Sequence, residues 1–405
     1  MTTAPDIRFL DRSTPPHILT LILLAGLSAM SMNIFLPSLP NMTEYFRTDY
    51  RVMQLSVAVY LAVNAVLQIA VGPVSDRYGR RPVLLWSTGL FMLATLGCIF
   101  APTAEVFLAF RMAQAVIVAG MVLSRAVVRD MFPQDQAASM IGYVTMGMAL
   151  VPMISPAVGG ILDETLGWQA NFWAMFLIGG LTLWLTWRDL GETAARGSSS
   201  MREQLGQYPE LFASRRFWGY CLAAAFTAGS FFAYLGGAPY VGSEVFGLEP
   251  SHLGLFFGAP AVGYMLGNFI SGRFSVRFGI NRMILWGALC VTTGPALILT
   301  LFHAGLESHW IFFGFMVPVG IGNGLVLPNA TSGMLSVRPH LAGTASGLGG
   351  SIMIGGGAAL SALAGALLVP GAGAYPLVWI MQFTTIAAVL SILYTIRREA
   401  QLRGG

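Results

Sequence analysis

The sequence has 405 residues, of which 55% are hydrophobic and only 10% are charged, and its mean hydropathy is +0.69. Soluble domains carry about 25% charged residues and disordered chains are polar and highly charged, so the composition excludes both classes. The formal net charge of +4 does not indicate a nucleic-acid-binding protein, because the arginines lie in separated short loops rather than in one basic stretch.

Apolar runs of about 20 residues recur along the chain, and each is long enough to cross a bilayer as a helix. The predicted spans are 17–39, 51–71, 83–102, 105–127, 138–161, 170–188, 217–241, 252–272, 283–303, 309–330, 342–368 and 374–396. The sequence therefore predicts an all-α polytopic membrane protein with about twelve transmembrane helices. The first run is too long for a signal peptide and has no small-residue cleavage site after it, so we expect it to remain as the first span.

Two related halves are predicted on either side of a polar segment rich in glycine and serine. The division is an N-terminal six-helix bundle at 1–190, a cytoplasmic linker at 191–213 and a C-terminal six-helix bundle at 214–405. Between the second and third spans lies the turn GPVSDRYGRRP (72–82), and GRFSVRFGINR (272–282) matches it at an offset of 200 residues. A match at this spacing indicates an internal duplication.

The distribution of arginine predicts the orientation. With both termini cytoplasmic, nineteen of the 22 basic residues lie in cytoplasmic segments, Arg47 and Arg51 lie in outer loops, and Arg111 lies within a span. Cys98, Cys221 and Cys290 each fall within an apolar run, which is typical of buried apolar residues rather than of disulfides or a metal site. We expect no cofactor and no metal.

Several stretches resemble the motifs of the major facilitator superfamily. The turn at 72–82 resembles motif A, G-x-x-x-D-R-x-G-R-R, and RMAQ (111–114) resembles the R-x-x-Q of motif B. VPMISPAVGG (151–160) resembles the antiporter motif C, while NIFLPSLP (33–40) and AGTASGLGGS (342–351) look like the Bcr/CflA drug-efflux branch. The resemblance spans the whole chain. It implies the major facilitator fold of two six-helix bundles, a bacterial inner membrane location and drug:proton antiport.

Motif A is expected to form a gate at the cytoplasmic side, in which Gly72 and Gly79 allow tight turning and close helix approach. The resemblance implies that Asp76 faces the start of the eleventh span near Gly343 and Thr344, and that Arg80 pairs with Asp130. The alternative is a solvated loop that only sets orientation. The predicted gating residues are Gly72, Asp76, Arg77, Gly79, Arg80, Arg81 and Asp130.

Motif C is interpreted as a packing device. Glycines remove side chains and prolines remove N–H donors, so the helix can bend and lie close to a neighbour. The predicted residues are Pro152, Pro156, Gly159 and Gly160. An ordinary span rich in glycine and proline is the alternative.

Arg111 is predicted to lie about 9 Å inside the outer end of the fourth span. An arginine at mid-membrane costs about 2.5–3.5 kcal/mol on insertion scales, and somewhat less at this depth. The side chain either reaches the surface or faces a cavity, where it binds substrate or a partner side chain. Gln114 shares its helix face.

Other polar and aromatic positions are expected to line the same cavity, which would suit amphipathic organic molecules. Interhelical hydrogen bonding is the alternative for each of them. The predicted cavity set, besides Arg111 and Gln114, is Asn33, Tyr60, Asn64, Gln68, Phe226, Ser230, Tyr234, Tyr264 and Asn268.

Proton coupling is a point where the sequence departs from the pattern, because Asn33 stands where members of the branch commonly have an acid, and Asn33 cannot titrate. Three explanations remain open. The proton is carried by Glu105, Asp163 or Glu244, the substrate carries a charge that Arg111 binds, or transport is uncoupled. Without a membrane carboxylate partner, Arg111 favours neutral or anionic substrates over cations.

The leading hypothesis is a secondary active transporter that exports small, largely apolar or amphipathic compounds, such as amphenicol- or bicyclomycin-like drugs, by alternating access. An importer or facilitator of a small neutral or anionic metabolite is the alternative. A membrane enzyme is not expected, since the chain has no H-E-x-x-H, no Walker A sequence and no membrane acid pair. The expected partners are the small-molecule substrate, protons and the lipid bilayer, and a monomer suffices for the mechanism.

Overall fold

The computed structural model describes residues 8–131, 134–193, 209–338 and 342–403, and within these ranges every regular element is helical. We call the side of the molecule on which the first helix begins and the last helix ends the inner side, and the opposite side the outer side. The elements of the N-terminal half are α1 (Ile18–Asn33), α2 (Leu39–Tyr45), α3 (Tyr50–Tyr78), α4 (Arg80–Ile99), α5 (Ala104–Gln114), α6 (Val118–Met131), α7 (Gln134–Leu166) and α8 (Gln169–Asp189).

The C-terminal half repeats the pattern of long helices joined at short breaks. Its elements are α9 (Arg215–Tyr240), α10 (Pro250–Phe256), α11 (Gly258–Phe278), α12 (Ile280–His303), α13 (His309–Gly314), α14 (Met316–Val337), α15 (Ala342–Leu367) and α16 (Tyr375–Arg403). Within the described residues, eleven helical stretches are long and apolar enough to cross a membrane. With α7, a helix of 33 residues, the molecule has the twelve membrane-length helices expected from the sequence.

The predicted turn at 72–82 is in fact a break of one residue. The helix α3 continues through Gly72 and Pro73 to Tyr78, and α4 begins at Arg80. Only Gly79 leaves the helical conformation, with φ +98°, a value that glycine adopts without steric cost. Gly72 lies inside α3 with open space around it, so the prediction that it turns the chain or allows close helix approach is wrong.

The duplicated copy in the second half has the same geometry. There α11 ends at Phe278, Gly279 has φ +82° and α12 begins at Ile280. The 200-residue repeat in the sequence is therefore also a repeat of backbone conformation.

Buried apolar residues form three clusters, and their distribution indicates how the halves meet. The largest cluster combines residues of both halves near the outer side, such as Ile34 and Phe35 with Tyr240 and Leu253. The two others lie toward the inner side, one made of N-terminal residues from Leu21 to Leu190 and one of C-terminal residues from Leu211 to Ile392. Among the described residues, the apolar core is thus shared at the outer side and divided at the inner side.

At the inner end of each half, one acid accepts hydrogen bonds that hold neighbouring segments together. Asp189, fully buried at the end of α8, accepts hydrogen bonds from Leu10 N (2.8 Å), His17 N (2.8 Å) and Thr20 Oγ1 (2.7 Å). These donors bring the start of α1 to the end of α8, because a buried carboxylate needs several donors to offset its lost hydration.

At the end of α16, Glu399 has the matching position in the second half. It accepts hydrogen bonds from Tyr220 Oη (2.9 Å) and Asn281 Nδ2 (2.7 Å) and pairs with Arg216. Thr20 and Tyr220 are 200 residues apart, so the duplication preserves the position of the hydroxyl while the acid differs.

Candidate functional site

Two features of the structure require a glycine at position 79 on the inner side: its positive φ, and a carboxylate that occupies the space where a Cβ would lie. Glu192 accepts hydrogen bonds from Arg80 N (2.8 Å) and Arg81 N (3.3 Å), the first amides of α4. An acid at a helix N-terminus is favoured because the free N–H groups carry partial positive charge. A Cβ at position 79 would overlap the Glu192 carboxylate, so glycine leaves room for this cap.

The inner gate cluster consists of Asp76, Arg80 and Asp130. Arg80 Nη1 lies 2.5 Å from Asp76 Oδ1, and Arg80 Nε lies 3.1 Å from Asp130 Oδ2. Arg80 also donates a hydrogen bond to Ser75 Oγ. The pairing of Arg80 with Asp130 that the resemblance implied is present, and it joins α3, α4 and α6 within the N-terminal half. The predicted partners of Asp76, Gly343 and Thr344, have side chains outside the described residues.

The remaining motif A arginines have other roles. Arg77 lies over the ring of Tyr78, 5.3 Å from its centroid. Arg81 donates hydrogen bonds to Leu190 O (2.9 Å) and Trp187 O (3.2 Å). Because the last carbonyls of a helix attract cations, Arg81 fixes the start of α4 to the end of α8.

Arg111 is fully buried inside the N-terminal half. Its guanidinium donates hydrogen bonds to Ser31 Oγ (3.1 Å), Ser31 O (2.7 Å), Gln114 Oε1 (2.8 Å) and Ser56 O (3.3 Å). It also lies over the rings of Tyr60 and Phe35, 3.8 and 4.4 Å from their centroids. A charge buried without a carboxylate is tolerated because these acceptors and aromatic faces together replace its hydration.

Gln114 and Tyr60 extend the Arg111 network. Gln114 Nε2 donates to Thr95 Oγ1 at 2.7 Å, and Tyr60 Oη lies 3.1 Å from Ser31 Oγ. The network joins α1, α3, α4 and α5. In the described conformation its polar atoms face one another rather than an open space, so Arg111 neither reaches lipid nor contacts solvent.

The polar residues predicted on α3 and α11 divide into buried and half-exposed positions. Asn64 is buried and accepts a hydrogen bond from Gln68 Nε2 at 3.1 Å, while Gln68 is half-buried. Tyr264 and Asn268 are half-buried, and Asn268 Nδ2 donates to Tyr264 O at 2.8 Å. Gln68, Tyr264 and Asn268 are therefore the polar residues of this predicted set on α3 and α11 that have accessible surface.

On α9 the predicted cavity residues are mostly enclosed. Ser230 is buried and donates to Thr227 O at 3.0 Å. Tyr234 is fully buried among Phe231, Phe257 and Phe312, whereas Phe226 remains half-buried. Asn33 on α1 is also buried, and its amide donates to Ala29 O at 2.6 Å.

An outer junction, made by Tyr50, Gln54, Gly236, Ser361 and Gly365, connects the two halves. Gln54 Nε2 donates hydrogen bonds to Ser361 O (2.5 Å) and Ser361 Oγ (2.9 Å), and Tyr50 Oη donates to Gly236 O (3.0 Å). A Cβ at Gly236 or Gly365 would collide with the Gln54 side chain. The two glycines therefore create the space in which α3 inserts this amide between α9 and α15.

Motif C forms a second contact between the halves at the outer side. A Cβ at Gly159 would overlap Ile34 O at the end of α1, and a Cβ at Gly160 would overlap Pro250 O of the other half. The relation is reciprocal, since a Cβ at Gly254 on α10 would overlap Pro156 O. The predicted close approach is thus present, and Pro152 and Pro156 lie within the continuous helix α7.

The sequence and structure comparisons agree on one family. A family model described as Major Facilitator Superfamily matches residues 21–362. An uncharacterized MFS-type transporter of Bacillus subtilis, YdgK, is 31% identical over 352 residues, which are 85% of this chain and 87% of that protein. This chain belongs to the major facilitator superfamily.

Further relatives extend the comparison. A protein of Pseudomonas aeruginosa named chloramphenicol resistance protein is 29% identical over 384 residues, covering 93% of this chain and 90% of the relative. The solved structure of a D-xylose-proton symporter has a TM-score of 0.74 at 15% identity and covers 93% of this chain and 96% of that one. The fold is the major facilitator fold, and the protein is a multi-pass membrane transporter rather than an enzyme.

Members of the superfamily that move protons need an acid that titrates, and the three acids considered from sequence differ in environment. Glu105 and Glu244 are exposed. Asp163, near the outer end of α7, is only 6% exposed and accepts a hydrogen bond from Asn41 Nδ2 at 2.9 Å. Asp163 is thus the buried acid of the three.

The structural roles of three residues were not predicted from the sequence: Glu192, Asp189 and Gln54. Glu192 and Gln54 bind partners 112 and 307 residues away, so no local pattern marks them. Gln54 alone had a usable signal, because an amide inside an apolar span requires a partner there. Among the described residues, no group of three or more histidine, cysteine, aspartate and glutamate residues could hold a metal ion.

Proposed function

We propose that this transporter exports small, largely apolar or amphipathic compounds from the cell by alternating access, in exchange for protons. The observation that carries the proposal is the asymmetry between the two sides. The halves share a buried core and the Gln54 hydrogen bonds at the outer side, while their inner cores are separate. This arrangement suits a carrier loaded from the inner side, and the relative named for chloramphenicol resistance favours drugs as the cargo.

For the route of the proton we propose Asp163. It is buried within one turn of Gly160, which packs on Pro250 of the other half, and its hydrogen-bond partner Asn41 is neutral. A carboxylate held by neutral donors can bind a proton without breaking an ion pair, whereas Glu105 and Glu244 are exposed side chains outside any such enclosed environment.

The organisation of the protein in the membrane follows the arginine pattern. We propose that both termini are cytoplasmic, that the protein lies in a bacterial inner membrane, and that 1–190 and 214–405 rock as two bundles joined by the linker at 191–213. Residues 194–208 of that linker lie outside the described residues. A monomer contains every group that the proposal uses, and nucleic acid has no part in it.

The test is drug export from a bacterial host that lacks its own major efflux pumps. Expression of the wild type is expected to raise resistance to chloramphenicol or bicyclomycin several-fold, and a protonophore is expected to abolish export. Unchanged resistance to both compounds, with uptake of a nutrient instead, would contradict export.

Asp163→Asn, with Glu105→Gln and Glu244→Gln as matched controls, tests the coupling residue. Asp163→Asn is expected to remove the dependence of export on the proton gradient, whereas the controls retain it because their carboxylates are exposed. Retained coupling in Asp163→Asn, measured as substrate-induced proton release from everted vesicles, would exclude Asp163.

A further inference from the structure

Arg125 was counted from the sequence among the cytoplasmic arginines, but it lies in the same membrane-length helical stretch, Ala104–Met131, as Arg111, and its environment differs from that of Arg111. Its side chain is exposed, although its neighbours Ser124, Ala126 and Val127 on α6 are buried. Arg111, by contrast, is fully buried and surrounded by hydrogen-bond acceptors. Unlike Arg111, Arg125 is therefore accessible to a molecule between the helices.

Arg125 lies close enough to the other half to interact with it electrostatically. Its electrostatic neighbour across the halves is Tyr264 on α11. Tyr264 is itself half-buried, as expected for a residue that borders an accessible space. Because the N- and C-terminal cores are separate at the inner side, Arg125 lies beside the space between the halves.

The depth of these residues indicates the direction of the side chain. Arg125 lies six residues before the inner end of α6, about 9 Å along the axis, whereas Tyr264 lies fourteen residues before the inner end of α11, about 21 Å. The Cα–Cβ bonds of a helix tilt toward its N-terminus, and α6 ends at the inner side, so the side chain of Arg125 starts in the direction of Tyr264. An arginine that only set orientation would extend toward the headgroups instead.

Within the described part of the chain, no acid lies beside Arg125. Its charged neighbour is Arg129, which has the same sign. At the inner side, Arg80 pairs with Asp76 and Arg216 pairs with Glu399. An ionisable group in a span without a partner is a marker of a substrate pathway.

We propose that Arg125 contacts the cargo in the inner-open state and selects amphipathic compounds that carry an anionic group, such as a carboxylate or a sulfonate, over cations. The proposal rests on the proposed export function and identifies the substrate class of the same pathway. The guanidinium binds the anionic group through charge-assisted hydrogen bonds, and Tyr264 and Asn268 supply neutral polar contacts on the opposite side. This assigns to Arg125 the charge preference that the sequence suggested for Arg111.

Binding of three probes to the purified full-length protein tests the proposal by isothermal titration calorimetry. The probes are chloramphenicol, its anionic succinate ester and the cation tetraphenylphosphonium. The wild type is expected to bind the succinate ester most tightly. Arg125→Gln is expected to lower the ratio of succinate to chloramphenicol affinity about tenfold or more, and Arg125→Lys is expected to restore most of it.

Arg129→Gln is the matched control, because it removes the same charge from an exposed arginine one turn nearer the inner surface. It is expected to change the ratio less than threefold, as a surface charge screened by salt does. The proposal is overturned if the wild type does not favour the succinate ester over the other two probes, if Arg125→Gln keeps the wild-type ratio, or if Arg129→Gln lowers it equally.

Export of chloramphenicol by the same cells separates this proposal from the proposed function. A wild type that binds the succinate ester through Arg125 but exports neither compound would contradict export and leave the binding site standing. A wild type that exports both with an unchanged ratio in Arg125→Gln would leave export standing and remove the role of Arg125.

Discussion

At the scale of single residues, the molecule uses arginine in three environments. Arg80 pairs with two acids, Arg111 is buried among neutral acceptors and aromatic rings, and Arg125 is exposed within a span. The sequence marked Arg111 as unusual because it is a charge inside an apolar run, but the sequence did not indicate which atoms satisfy it. Its acceptors include backbone carbonyls of Ser31 and Ser56, whose positions depend on how α1 and α3 pack.

Substitution of Arg111 by lysine is expected to destabilise the N-terminal half. An ammonium has no planar fork, so it cannot contact Ser31, Ser56 and Gln114 together while stacking on Tyr60. Loss of one or two hydrogen bonds to a buried charge corresponds to about 2–4 kcal/mol. Thermal unfolding of the purified protein should show a clearly lower melting temperature, while Arg129→Lys, at an exposed site, should match the wild type. Equal stability of Arg111→Lys and the wild type would contradict the network.

The gate cluster is expected to contribute to function more than to stability. Its three side chains are partly exposed, at 12% for Arg80, 12% for Asp76 and 24% for Asp130, and such pairs contribute about 0–1 kcal/mol. Asp130→Asn should therefore fold normally but export more slowly, and the exchange Arg80→Asp with Asp130→Arg should recover part of the rate. A double variant no better than Asp130→Asn, measured as export rate at equal expression, would argue against a functional ion pair.

At the scale of helices, glycines decide where elements approach. Gly159 packs on Ile34 within the N-terminal half, and Gly160 packs on Pro250 across the halves. The sequence predicted close packing of motif C from its glycine and proline content, but it did not predict that two adjacent glycines serve different interfaces. That assignment depends on the rotation of α7 about its axis, which composition does not specify. The one-residue break at Gly79 was missed because the charged stretch at 72–82 interrupts the apolar pattern, although the helices continue through it to Tyr78 and from Arg80.

Alanine substitutions at these two glycines are expected to separate folding from gating. Gly159→Ala forces α7 away from α1, an overpacking effect of about 1–3 kcal/mol, and should lower the melting temperature. Gly160→Ala should instead loosen the contact between α7 and α10 at the outer side and increase the chemical modification of a cysteine introduced there, with a smaller effect on stability. Gly89→Ala, which meets open space, is the control and should resemble the wild type. Identical behaviour of the two variants would contradict separate interfaces.

At the scale of the whole molecule, the two halves share one core at the outer side and have separate cores at the inner side. The sequence predicted twelve helices, their duplication and the superfamily, since hydropathy and motif spacing are local and periodic. It did not predict which side would be closed. Closure depends on contacts such as Gln54 with Ser361, 307 residues apart, and the same sequence must also allow those contacts to break.

Rocking of the halves about the central pathway is tested most directly by distances between spin labels on the outer and inner sides of the molecule. One pair is placed at the outer side, at the exposed residues Glu44 and Glu249, and the other at the inner side, at Tyr78 and Val276. Both pairs are introduced in a variant in which the three native cysteines are replaced by alanine and which retains export. Pulsed electron paramagnetic resonance is then recorded with and without substrate and at two pH values. Alternating access predicts that the outer distance lengthens when the inner distance shortens. Distances that stay fixed under every condition, or that lengthen together, would contradict it.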